Sequence, residues 1–367
     1  MRLTIDRFVL TKAVPLAISR GTTGQVERLL VRVHHDGVHG IGETGGFETG
    51  HRAFTTEAVA RELEALAPAL QGLPPAPLQA LEPLLQRLSP PARCGLDLAL
   101  HDWWGQRLGL PLQRLWSLDP GAGVATSVTL GLGEPGAVLA RLERWWAQLP
   151  ATRIKLKLGS PAGADHDRAL VEAVWTAIDQ RRQATGCAIE LQVDANGGWE
   201  LATARALIPW LAERGVVLLE QPLAPLADPD ADSAGFAALN GLAAIPVVAD
   251  ESCWSVIDLL RLAPHVQGVN IKLLKSGGLA EALLMARLAQ RLGLAVMVGC
   301  YSDSALLNGA AAQLLPLVQW PDLDSHLNLV DDPFVGPSLE GDRLRAGPGP
   351  GLGVQWAPAP PCSSDGR

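Results

Sequence analysis

Lysine is scarce in this sequence: of 30 basic residues only Lys12, Lys155, Lys157, Lys272 and Lys275 are not arginine. The five cysteines (Cys94, Cys187, Cys253, Cys300 and Cys362) form no CxxC pair and follow no framework spacing. That excludes a disulfide scaffold and a thiolate zinc site, and it points to a reducing, cytoplasmic setting. No run reaches the ~20 apolar residues of a membrane span. The richest, 305–318, is interrupted by Asn308, Gly309, Gln313 and Pro316. An apolar signal core is missing too, because Asp6, Arg7 and Lys12 break the first segment. A basic surplus is also lacking: the net charge of −8 argues against a nucleic-acid partner.

What is present is apolar mass. Hydrophobic residues make up 48% and charged ones 19% of 367 residues, enough for a substantial core. The chain exceeds the roughly 250–300 residues at which single cores stop growing, so a large barrel with a smaller companion unit is expected. Residues 1–120 read as an α+β unit, with strands over 2–9 and 29–35, a Gly-rich turn and loop over 37–46, and helices over 55–70, 78–88 and 92–108. From 121 to 330, short Val/Ile/Leu runs alternate with helical patterns. Strands are expected at 125–129, 153–157, 190–194, 216–220, 247–250, 268–272, 295–298 and 318–323. Eight such units close a (β/α)8, or TIM, barrel of the α/β class. Residues 331–367 return to Gly/Pro-rich chain, with a disordered tail expected from 357.

Charge placement carries the functional signal. The second to sixth strands end in Lys155 and Lys157, Asp194, Glu220, Asp250 and Lys272. The C-terminal strand ends of such a barrel ring one site. Three carboxylates meeting there cannot all stay ionised without a cation, and all-oxygen ligation without His or Cys selects Mg²⁺ or Mn²⁺. Ion pairing inside the barrel mouth is the competing reading. Arginine does not deprotonate in proteins, whereas a buried lysine can act as a base. Lys155 and Lys157, two apart on a strand, share a face, so their repulsion is expected to lower one pKa. Lys272 faces the same cavity from the far side, which would let two lysines serve opposite faces of one carbon.

The segments KLKL (155–158), DANGGW (194–199), EQP (220–222), DES (250–252) and NIKLLKSGG (270–278) resemble those of the enolase superfamily, in its muconate-lactonizing subgroup. The resemblance covers nearly the whole chain. It implies an N-terminal capping domain over a barrel mouth, Asp194, Glu220 and Asp250 as Mg²⁺ ligands, Lys157 and Lys272 as an acid/base pair, and Lys155 tuning Lys157. The implied chemistry is abstraction of a proton α to a carboxylate, with Mg²⁺ stabilising the enediolate. Lys275 is given no role. A histidine base after the seventh strand is not expected, because VMVGCYSDS (296–304) holds none.

Within that subgroup, Asp322 and Asp324 in WPDLD (320–324) resemble the Asp-x-Asp with which dipeptide epimerases hold a free α-ammonium. Arg20 in AISRG (17–21) is similar to the specificity-loop arginine of Ala-Glu epimerases, which faces the second side chain of the substrate. Asp303, near the pocket, argues instead for a cationic or polar substrate side chain. The long 37-residue interval from Lys157 to Asp194 implies an extended second helix, or a loop near 162–165. The resemblance thus implies a Mg²⁺-dependent dipeptide epimerase acting on a small molecule, with no nucleic acid or membrane partner. It leaves a homo-oligomer open. An o-succinylbenzoate synthase, cycloisomerase or N-acylamino acid racemase on the same scaffold is the alternative.

Overall fold

The structure is a computed structural model and describes residues 1–119, 121, 123–242 and 245–358. Cys362 and most of the tail expected from 357 lie outside the described residues. The four described cysteines are free thiols.

The N-terminal third is an antiparallel meander of β1 (Arg2–Ile18), β2 (Gly21–His35) and β3 (Val38–Thr44), backed by α1 (Thr56–Leu70) and α2 (Pro90–Leu108). Thr55 starts α1 by accepting from Ala58 N at 3.1 Å, satisfying a first-turn amide with no partner inside the helix. The strand β3 corrects the loop expected over 37–46. Its glycines serve helix packing as well as turning: a Cβ on Gly40 would meet Ala99 O at 2.1 Å, and one on Gly42 would meet Gly95 O at 2.3 Å. Only Gly lets the α2 backbone settle onto the strand, which is why a strand here reads like a loop. The helix expected over 78–88 is two short turns, Leu78–Leu81 and Glu82–Leu85, because Pro83 interrupts the segment. β1 runs past its expected end. Its pairing with β2 shifts between Thr11 and Leu16, and there the strand leans on the barrel instead, bridging Lys12 to Leu329.

The barrel comprises β4 (Val128–Leu130), β5 (Arg153–Lys157), β6 (Glu190–Asp194), β7 (Val216–Glu220), β8 (Val247–Ala249), β9 (Gly268–Ile271), β10 (Ala295–Gly299) and β11 (Trp320–Asp322). All neighbours pair in parallel in sequence order. The seam between first and last strands is drawn together by Ser127 N donating to Pro321 O at 3.0 Å. The helix after β5, Ala164–Thr185, is 22 residues long, so the extra length before Asp194 is helical. Apolar side chains from strands and outer helices fill two large clusters between the layers. Inside the barrel, Leu218, Val248 and Met297 form a separate buried layer. Leu218 and Val248 lie two residues before Glu220 and Asp250, so strand alternation puts those carboxylates one layer nearer the mouth. No helix among the described residues is long and apolar enough to cross a membrane.

The meander closes over that mouth and is pinned to it. Arg28 on β2, 1% exposed, donates to Asp303 at 2.9 Å and Ser302 O at 3.0 Å. Glu43 on β3 accepts from Ser304 N at 3.2 Å, and burial raises its carboxyl to about 7 against the pull of Arg28.

Candidate active site

Strand ends bring the sequence-predicted charges into one ring. The ammonium of Lys155 lies 2.6 Å from Asp322, 2.7 Å from Glu220 and 3.2 Å from Asp194. Lys157 donates to Asp194 at 2.6 Å, and across the mouth Lys272 donates to Asp250 at 2.6 Å. Burial works against the Lys155 and Lys272 ammoniums. The carboxylates outweigh it, Asp322, Glu220 and Asp194 at Lys155 and chiefly Asp250 at Lys272, and both pKa values lie well above the ordinary lysine value. The repulsion expected to depress one of the paired lysines is therefore overridden at Lys155. On the acid side, burial would raise Asp194, yet Lys157 and Lys155 bring it down to about 2. Asp250 falls well below its usual value, held by Lys272 and Lys275. Glu220 goes the other way, to about 8, because burial and Asp194 outweigh Lys155.

Several members of this network carry no signal in the motif spacing. Lys275, buried like the others, donates to Asp250 Oδ1 at 2.7 Å, to Asn270 O at 2.9 Å and to Asp250 O. It is a structural clamp on Asp250. Asn270 donates to Glu220 Oε1 at 2.8 Å. Glu251 is a further buried carboxylate, joined to Arg20 at 3.0 Å and Asn196 at 3.3 Å. Tyr301, the one tyrosine, places its ring 4.7 Å from the Lys272 ammonium and stacks on Phe47. The scarcity of lysine and the adjacency of Glu251 to Asp250 were the available signals for the first and third of these.

Between meander and barrel lies a cavity of about 230 Å³ whose walls include Lys157, Lys272, Glu251, Arg20, Phe47 and Tyr301. Arg20 lines it, but its guanidinium is already engaged by Glu251, by Glu48 at 3.2 Å and by Asn196 O at 2.8 Å. Asp303 requires a correction. It is 4% exposed and neutralised by Arg28, so it joins the two domains and does not present charge to a ligand. The Asp-x-Asp pair divides its work. Asp322 is held by Lys155 and by Ser127 at 2.5 Å. Asp324 accepts from Thr129 N at 2.6 Å and faces a second, smaller cavity. Burial and Asp322 raise Asp324 to about 6.

As the side chains stand, no three His, Cys, Asp or Glu residues among those described are gathered tightly enough to hold a metal ion; lysine ammoniums lie among the carboxylates. The donor chemistry nevertheless suits a hard cation. Glu251 Oε2 and Asn196 Oδ1 are buried oxygens without a hydrogen-bond partner, Glu220 Oε2 meets only the Lys155 ammonium at 2.7 Å, and the ligating atoms on offer are all oxygen.

A barrel whose strand ends carry Lys-x-Lys, Asp, Glu, Asp and Lys beneath an antiparallel cap defines the enolase superfamily class of protein. Residues 3–116 match the mandelate racemase / muconate lactonizing enzyme N-terminal domain, and residues 137–359 match the enolase C-terminal domain-like family. The chain belongs to this mandelate racemase / muconate lactonizing enzyme family. It is 36% identical over 346 residues to a hydrophobic dipeptide epimerase of Flavobacteria bacterium (strain MS024-2A), covering 92% of this chain and 93% of that protein. Its fold is similar to the substrate-liganded L-Ala-D/L-Glu epimerase from Bacillus subtilis, with TM-score 0.87, 27% identity and coverage of 98% and 99% of the two chains. It is also similar to a dipeptide epimerase from Enterococcus faecalis V583 complexed with Mg and L-Leu-L-Tyr, with TM-score 0.85, 29% identity and coverage of 96% and 98%.

Proposed function

We propose that this protein is an isomerase, a Mg²⁺-dependent dipeptide epimerase that inverts the α-carbon of the C-terminal residue by two-base proton transfer. The observation that carries the reading is the placement of Lys157 and Lys272 on the wall of one cavity, each ammonium bonded to a different carboxylate, Asp194 and Asp250. Two proton carriers with separate supports suit transfer to and from opposite faces of one carbon. Asp194, Glu220 and Asp250 would hold Mg²⁺, with Mn²⁺ an acceptable substitute. The ion would supply positive charge against the substrate carboxylate and so acidify the adjacent C–H.

The chain's own residues do the rest. For one stereoisomer Lys157 Nζ takes the α-proton and Lys272 Nζ returns one to the other face; for its epimer the roles exchange. Lys155 stays protonated and fixes Asp194 and Asp322 in position. Asp324 accepts the substrate's free ammonium. Phe47 and Tyr301, stacked at 4.6 Å between their ring centres, keep water from the reacting carbon. The carboxylate of Asp324 also weighs against the synthase and cycloisomerase alternatives, whose substrates are wholly anionic.

The test is ¹H exchange in D₂O, followed by NMR on L,L- and L,D-dipeptides. Lys157→Met and Lys272→Met should each abolish net epimerisation, a loss on the order of 10²–10⁴-fold. Each variant should still exchange the α-proton of one isomer. Net epimerisation surviving in either variant overturns the two-base reading.

A further inference from the structure

The smaller cavity beside Asp324 has a composition that the proposed chemistry does not require. Four of the five lysines are ion-paired within the ring. Lys12 is not: among the described residues its ammonium makes no ion pair and no hydrogen bond, although it lines both this cavity and the larger one. Arg141 lines the smaller cavity too. It lies 4.1 Å over the Trp145 ring and donates to the neutral Asn328 at 2.9 Å, again without a carboxylate partner among the described residues. Burial lowers the pKa of both cations, and at Lys12 the nearby Arg28 adds to that. Asp324 on the same wall attracts both, and Asp303 also attracts Lys12, but neither makes an ion pair with these cations. Once a substrate ammonium engages Asp324, the two cations are left for a ligand carboxylate to offset.

The walls are fixed. Val14 N donates to Asn328 Oδ1 at 3.2 Å and Asn328 Nδ2 to Val14 O at 2.8 Å, which ties β1 to the loop after β11. Leu132 N donates to Ala17 O at 2.8 Å from the other side. The enclosed space is about 50 Å³. On the same measure the larger cavity has about 230 Å³, so this one suits a short side chain better than a ring.

We infer that this cavity is a subsite for the side chain of the substrate's N-terminal residue, and that it selects a short acidic side chain, with Lys12 as the specificity-determining cation. The inference rests on the dipeptide epimerase reading. The substrate ammonium against Asp324 places the first side chain beside that aspartate, where Lys12 and Arg141 converge. The preferred class is Asp-Xaa dipeptides. Asparagine has the same shape without the charge and so isolates the contribution of Lys12.

The experiment compares kcat/KM for epimerisation of L-Asp-L-Ala, L-Asn-L-Ala and L-Ala-L-Ala by the full chain with Mg²⁺, and repeats the Asp/Asn comparison in Lys12→Met and Lys12→Arg. The ratio is taken within one preparation, so partial misfolding of a variant cancels. A charge-assisted contact predicts about a 10–100-fold preference for Asp over Asn. That ratio should collapse toward one in Lys12→Met and return in part in Lys12→Arg. A ratio near one in the wild type, with any of the three dipeptides epimerised, overturns the subsite and leaves the epimerase reading standing. A preference that persists in Lys12→Met overturns the role of Lys12. If none of the three dipeptides nor any hydrophobic dipeptide exchanges its α-proton, the epimerase reading fails and the subsite with it.

Discussion

Lys275→Met separates scaffolding from chemistry at the ring. Lys275 is 1% exposed and serves three acceptors: both a carboxylate oxygen and the carbonyl of Asp250, and the carbonyl of Asn270. Methionine nearly matches its length, so the packing term is small. What is lost is the ammonium, and breaking a buried ion pair by removing one partner costs about 3–5 kcal/mol. Asp250 keeps Lys272 at 2.6 Å, which places the loss at the lower end, about 3 kcal/mol. For a chain of this size that lowers Tm by about 4 °C. Thermal denaturation at pH 7 measures it, and α-proton exchange measures the accompanying loss of alignment at Asp250. A variant that melts within a degree of wild type and exchanges at the same rate would refute the clamp.

Chelation should abolish epimerisation, and added Mg²⁺ or Mn²⁺ should restore it; full turnover after exhaustive chelation counts against the oxygen ring as a cation site. Asp324, raised from 3.8 to about 6, binds an ammonium only when ionised. For free dipeptides kcat/KM should therefore climb as pH rises from 5 to 7. Asp324→Asn should flatten that rise and lower the plateau by about 10–100-fold. An unchanged profile in the variant would show that another group holds the amine.

Much of this site is written in short-range sequence. Lys157, Asp194, Glu220 and Lys272 close apolar runs of strand length, so periodicity alone carries them to the barrel mouth. The strands at 153–157, 190–194 and 216–220 match the structure residue for residue. Contacts across domains are less legible. Nothing near Asp303 in sequence reveals that Arg28, 275 residues away, would bury and neutralise it. Arg20 likewise meets Glu251 only through the fold. The glycines of β3 mislead because a strand that must admit a helix backbone uses the same residue as a turn. Lys275 goes unassigned because it sits on a helix-entry turn, where spacing from Lys272 does not predict that both would turn toward Asp250.

The distribution of lysine has a consequence for chemical reactivity. Lys155, Lys157, Lys272 and Lys275 are each no more than 7% exposed, and Lys12 sits at the cavity wall, so the outer charge is carried by guanidinium groups. Reagents that acylate, glycate or cross-link ε-amines act on the neutral amine, and the described exterior gives them almost nothing to attack. Burial makes Lys12 more readily deprotonated than an ordinary surface lysine. It is therefore the amine such reagents meet first, and a general lysine label becomes, in this molecule, a marker of a single position on the wall shared by the two cavities.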